Sequence, residues 1–405
     1  MTSEWNQICL NDAVSKLGDG LHGTPKYDDN GEYFFINGNN LVDGEIAFKD
    51  SKRVSESEYE KYKKDLNDRT ILVSINGTLG NIAVYKGEKC ILGKSACYFN
   101  VRDEYDKDFI RYVVSTSIFQ EYIRRYANGT TIKNVSLKAM REYIFLCPDL
   151  PTQHTIAATL SALDNKIAVN KAINHHLEQM AQAIFKSWFV DFEPFGGVMP
   201  NDWQVKILGD LCETVTKGTT PTTLKKKFVE QGINFVKAES ILDDHSLDFD
   251  KLAFIDDETN TLLSRSIIRE SDIIFTIAGT LGRFAFVHDA LLPANTNQAV
   301  AIIRADTSKI NPIILYSFFI GGLHSDFYSM NFQQAVQANL SLTTIKALPL
   351  ILPTAKPLAE YTALVQPILE RIFKNYAENR HLAALRDTLL PRLTLGEITI
   401  KEVIK

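Results

Sequence analysis

Between residues 156 and 188 the chain has neither glycine nor proline, and Leu160, Leu163, Ile167, Asn170, Asn174, Leu177, Ala181, Ile184 and Trp188 follow one another in steps of three and four. That is a heptad seam, and it predicts one long helix, roughly 50 Å from end to end. The seam returns after about 205 residues as Val365, Ile368, Ile372, Asn375, Asn379, Leu382, Arg386, Leu389 and Leu393, predicting a second helix over 357–390. Both asparagines recur, which points to two helices packed on each other, since a buried Asn fixes register at some expense of stability. The alternative is that the asparagines face solvent beside the seam. Pro367 is expected to kink the second helix or delay its start. The first helix also carries Val169, Ile173, Met180, Phe185 and Phe189 off the seam, with few charges. Further protein surface, from flanking domains or separate subunits, is expected against it.

The pattern around the helices is also doubled, at a spacing of about 200 residues. Trp5 is echoed by Trp203, Thr24-Pro25 by Thr220-Pro221, Gly77-Thr78-Leu79-Gly80 by Gly279-Thr280-Leu281-Gly282, and Asn134-Val135-Ser136-Leu137 by Asn339-Leu340-Ser341-Leu342. In the first copy, β-branched and aromatic runs at 70–75 and 81–85 flank Asn76-Gly77-Thr78-Leu79-Gly80, a strand–turn–strand signature. Residues 108–126 have helical spacing, Ser136 reads as an N-cap, and 143–147 reads as a strand ending at Pro148. Phe192 to Pro200 reads as the break between copies. The expected domains are 1–150, a helical segment 151–192, a second domain 193–352 and a second helical segment 353–405.

Composition adds exclusions. No stretch is long and apolar enough to span a membrane, and nothing resembles a signal peptide. The five cysteines form no C-x-x-C pair, so zinc and redox motifs are not expected, and reduced thiols in a cytoplasm are. A net charge of −5 argues against a stand-alone nucleic-acid binder but leaves room for local basic patches, or for partners that supply positive charge.

Residues 184–195 (IFKSWFVDFEPF) and 389–398 (LLPRLTLGEI) resemble the ends of the two helical regions of type I restriction-modification specificity subunits. Leu150-Pro151-Thr152-Gln153 resembles the entry to the first; its copy, Leu352-Pro353-Thr354-Ala355, lacks the Gln. Gly23-Thr24-Pro25 and Thr219-Thr220-Pro221 stand where target recognition domains begin in that family. The resemblance implies an α+β architecture: two pseudo-symmetric mixed α/β target recognition domains separated by two long antiparallel helices forming a coiled coil. It implies that each domain reads one half of a split, asymmetric site in double-stranded DNA, with helix length setting the gap. It also implies two methyltransferase subunits docked on the assembly and two motor-nuclease subunits joining for restriction. S-adenosylmethionine, ATP and Mg are then expected on those partners and no cofactor or metal on this chain.

The sequence offers little catalytic chemistry of its own. There is no Asn/Asp-Pro-Pro-aromatic tetrapeptide and no phosphate-binding Gly-x-x-x-x-Gly-Lys-Ser/Thr. Asp50-Ser51-Lys52 and Asp164-Asn165-Lys166 are too common a triplet to mark a nuclease, and His175-His176 lacks further ligands. The chain reads as non-catalytic by itself. Phosphate contacts need cations or small polar groups, and base contacts need planar donors. On that chemistry the DNA-binding candidates are Thr24, Lys26, Arg124, Asn128, Thr130 and Lys133 in the first copy, and Thr220, Lys225, Lys226, Lys227, Arg283, Gln334 and Gln337 in the second. A solvated face is the plainer reading of any one charge run. The helix-pairing candidates are Leu163, Ile167, Asn170, Asn174 and Leu177 against Ile368, Ile372, Asn375, Asn379 and Leu382. A competing reading is a duplicated scaffold that binds two copies of a protein partner and no DNA.

Overall fold

The computed structural model describes residues 5–129, 133–322 and 339–403. The chain divides into two compact units, Met1–Ile167 with Arg380–Lys405, and Ala168–Asn379. Both are mixed α/β, so the molecule is α+β, and they are built to one plan.

In the first unit a four-stranded antiparallel sheet runs Val14–Asp19, Ala96–Val101, Thr70–Asn76, Thr78–Val84. Successive side chains of a strand point to opposite faces. Ile71, Val73 and Ile75 therefore enter a core with Phe99, Phe109, Tyr112 and Phe119, while Leu72 enters another with Ile36, Leu92 and Tyr98. A smaller sheet sets Tyr33–Ile36 between Lys52–Val54 and, in parallel, Cys90–Leu92. A two-stranded ribbon pairs Asn6–Cys9 with Ile144–Cys147.

The second unit repeats each piece. Its larger sheet runs Cys212–Lys217, Val300–Ala305, Ile273–Thr276, Phe284–Phe286. Its smaller one sets Ile233–Val236 between Ala253–Ile255 and, in parallel, Ala294–Thr296, and its ribbon pairs Gln204–Ile207 with Pro349–Leu352. The segment expected as a linker is packed: Phe195 and Phe192 lie edge-on to Trp203, which also contacts Phe189.

Three sequence expectations change. The helix expected over 108–126 is two, Lys107–Ser115 and Ser117–Tyr126. Thr116 breaks them, because its backbone is extended (φ −63°, ψ 150°) and its hydroxyl accepts the Phe119 amide as an N-cap. The first long helix begins earlier, Leu150–Phe189, with Pro151 in its first turn, where a missing N–H costs nothing. The second runs Ala355–Thr394, so Pro367 lies in its interior and does not delay its start.

Segments of these helices pair within each unit. In the second unit Asn174 and Asn375 are buried, and the Asn375 amide donates to Asn174 Oδ1 at 2.7 Å. Asn170, also buried, donates to Asn379 Oδ1 at 2.9 Å and to Glu378 at 2.8 Å. Rising number on one helix meets falling number on the other, so the segments are antiparallel. The asparagines thus lie in the seam and do not face solvent. Val365, Leu369, Ile372 and Phe373 join Ala181, Phe185 and Trp188 in one core. In the first unit Leu160 packs with Leu389, Leu390 and Leu393. There Asp164 accepts from Arg386 at 2.9 Å and from the Tyr112 hydroxyl. Burial pushes the Asp164 carboxyl upward, but those hydrogen bonds and the charges of Arg386 and Arg111 leave it below its ordinary value.

Candidate nucleic-acid interface

Backbone bonds gather four loops of the first unit into one polar rim. The chain leaves strand Val14–Asp19 through Gly20, where an added Cβ would lie 2.0 Å from the Leu92 carbonyl oxygen, so only glycine allows the crossing. Leu21 N donates to Leu92 O and Lys94 N to Leu21 O, tying the opening loop with exposed Thr24 and Lys26 to the turn that carries Lys94. Ser95 of that turn bonds Asn37 and the Gly38 amide, and its carbonyl accepts from Ile75 at the root of the hairpin. The hairpin tip is held in turn, because Gly77 N donates to Lys133 O, Asn76 bonds Asn134, and Asn134 bridges Asn128. Arg124 is exposed on Ser117–Tyr126, the helix whose Gln120 donates to Gly80 O. Thr24, Asn128 and Lys133 therefore belong to one connected set of loops. Thr130 lies outside the described residues.

Among the described residues the second unit repeats the glycine crossing and the hairpin root of this arrangement. Gly218 replaces Gly20, an added Cβ there lying 1.7 Å from Thr296 O, and its amide donates to Asn297 O. Thr220 donates its hydroxyl to Gln298 Oε1. Ile277, at the hairpin root, donates to Ala299 O and accepts from Leu340 N, as Ile75 does with Ser95 and Val135. Lys225 caps the turn Pro221–Leu224 in the left-handed region (φ 58°) and, like Lys227, is exposed. Lys226 pairs with Glu258 at 2.6 Å, and the Arg283 guanidinium holds Asp243 at 2.6 Å and the Ile241 carbonyl at 3.1 Å. Arg283 thus braces the 241–243 loop. Gln334 and Gln337 lie outside the described residues.

Lys94 and Gln298 stand at matching places in the two sheets and are not among the sequence candidates. Both are exposed polar side chains in a short turn, where no periodicity marks them, and only alignment of the two sheets' registers brings them into correspondence.

Elsewhere the second unit buries a polar cluster. The Tyr376 hydroxyl lies 3.1 Å from Glu178 and bonds the Asp244 carbonyl. One hydroxyl proton cannot serve both acceptors. Burial pushes the Glu178 carboxyl up to about 7, with the Asp244 charge adding to the rise, and a protonated Glu178 would donate to Tyr376 and satisfy all three groups. Burial likewise raises the thiols, Cys147 to about 11 and Cys90 and Cys212 to about 12, which removes them as nucleophiles near neutrality. Among the described residues no cluster of three or more His, Cys, Asp or Glu could hold a metal, and no helix is long and apolar enough to cross a membrane.

A family model described as "Type I restriction modification DNA specificity domain" matches residues 2–179 and 200–369, one match to each copy of the repeat. The chain belongs to this specificity family. The type I restriction enzyme MjaIX specificity subunit of Methanocaldococcus jannaschii is 26% identical over 347 residues, covering 82% of this chain and 78% of that one. The HindI specificity subunit of Haemophilus influenzae is 24% identical over 366 residues, covering 72% and 77%. The crystal structure of a type I restriction-modification S subunit from M. genitalium shares the fold with TM-score 0.55 at 19% identity, covering 96% of each chain.

Proposed function

We propose that this chain is the DNA sequence-specificity subunit of a type I restriction-modification complex. Each unit reads one half of a split, asymmetric duplex site through its rim, and the paired helices set the gap. The observation that carries this reading is the duplicated plan: matching sheets in the two units, with the hairpin root bonded alike through Ile75 and Ile277, present different side chains at their loops. Loops held on a rigid scaffold are where recognition groups belong, and two half-sites of different sequence call for one framework with two sets of side chains.

The chain supplies specificity and no chemistry. Two methyltransferase subunits bring S-adenosylmethionine, and two motor-nuclease subunits bring ATP and Mg. Val169 and Met180 are 52% and 53% exposed on one helix face, with half-buried Ile173 between them, a strip suited to a docked partner. The assembly works in the cytoplasm, where its DNA is.

The test is duplex binding by the chain co-purified with its methyltransferase partner. Affinity should fall steeply and log-linearly with salt as phosphate contacts release counterions. Binding that is absent or salt-independent, from an intact complex, would replace this reading with a protein scaffold.

A further inference from the structure

Positions 94 and 298 are structural equivalents. Each lies in the turn that precedes an inner strand of its four-stranded sheet, Ala96–Val101 or Val300–Ala305. The registers agree: Cys97 faces Asp19 just before Gly20, and Ala301 faces Lys217 just before Gly218. On one side stands the opening Thr-Pro loop. On the other, the next residue's carbonyl, Ser95 or Ala299, accepts from the hairpin root, Ile75 or Ile277. The position is thus pinned from both sides while its side chain is exposed. Among the described residues neither the Lys94 ammonium nor the Gln298 amide nitrogen has a hydrogen-bond or ion-pair partner.

The two side chains differ in a way that bears on bases. Gln pairs bidentately with adenine N6 and N7, and Lys donates to guanine O6 and N7. Gln298 is also oriented. The Thr220 hydroxyl donates to its Oε1, using one lone pair and leaving the other, with both amide hydrogens, free to pair on an exposed side chain.

Resting on the specificity-subunit reading, we propose that residues 94 and 298 are matched base-reading positions of the two units. Gln298 reads an adenine in one half-site, Lys94 reads a guanine in the other, and Thr220 is the positioning residue for Gln298. The framework is shared, so the difference between the half-sites at this point lies in one side chain.

The experiment maps N6-methyladenine genome-wide by single-molecule sequencing in cells that express the chain with its methyltransferase subunit, as wild type, Gln298→Ala, Lys94→Ala and Thr220→Val. Each Ala variant should relax one base pair, in a different half-site, with discrimination there falling about 5- to 150-fold. Thr220→Val should relax the same base pair as Gln298→Ala, by less. A readout by merely structural residues would lower methylation at all sites alike and leave the motif unchanged. That result, or relaxation of both half-sites by one variant, overturns the proposal. If a variant methylates nothing, its purified complex is bound to duplexes altered one base pair at a time. Loss of preference at a single pair supports the assignment, and a uniform loss refutes it. A wild-type complex that yields no two-part motif would instead defeat the specificity-subunit reading itself.

Discussion

The asparagine pair shows how one residue type sets a helix interface. The Asn375 amide donates to Asn174 Oδ1, and the Asn174 amide reaches the Ile372 carbonyl at 3.3 Å. Only one alignment of the segments satisfies both. Asn375→Ala should therefore leave a buried Asn174 carbonyl unpartnered and destabilise the chain by about 1–3 kcal/mol in urea unfolding. The double change Asn174→Leu with Asn375→Leu should recover that stability, since apolar pairs cost less to bury. If the double variant is no more stable than the single, the pair stabilises the fold in its own right and is not chiefly a register device. These positions were legible because they interrupt a heptad that is otherwise apolar. Gln298 and Lys94 interrupt nothing, and their correspondence is a fact about sheet register that spacing in the chain does not encode.

At the scale of elements, periodicity located both long helices but not their ends. Gln153 explains one of them. Its side chain accepts the Asp106 amide at 2.9 Å and donates to the Pro148 carbonyl at 2.9 Å, so tertiary contacts carry the helix back to Leu150 beyond its periodic part. The break at Thr116 was hidden for the opposite reason: the apolar spacing continues across it, and only the backbone and the capping hydroxyl reveal it. The proposed gap-setting role belongs to these elements. One heptad inserted in phase into both helices should lengthen each by about 10 Å and change the accepted gap while both half-sites stay the same. The same insertion in one helix alone would misalign the asparagines and should destabilise the protein. A changed half-site at constant gap, mapped by methylation sequencing, would contradict the ruler.

For the whole molecule, the doubled sequence pattern foretold the doubled plan, and the comparisons attach a family to each copy. What remained closed to sequence was the rim, because it is assembled from four loops distant in the chain and joined by backbone bonds that carry no residue signature. The central claim is that this chain alone chooses the DNA sites. The most direct measurement is the methylome of cells expressing the methyltransferase subunit with and without it. The account predicts a gapped, asymmetric two-part motif that is present only with this chain. A stable complex that methylates nothing, or a motif that persists without the chain, would contradict it.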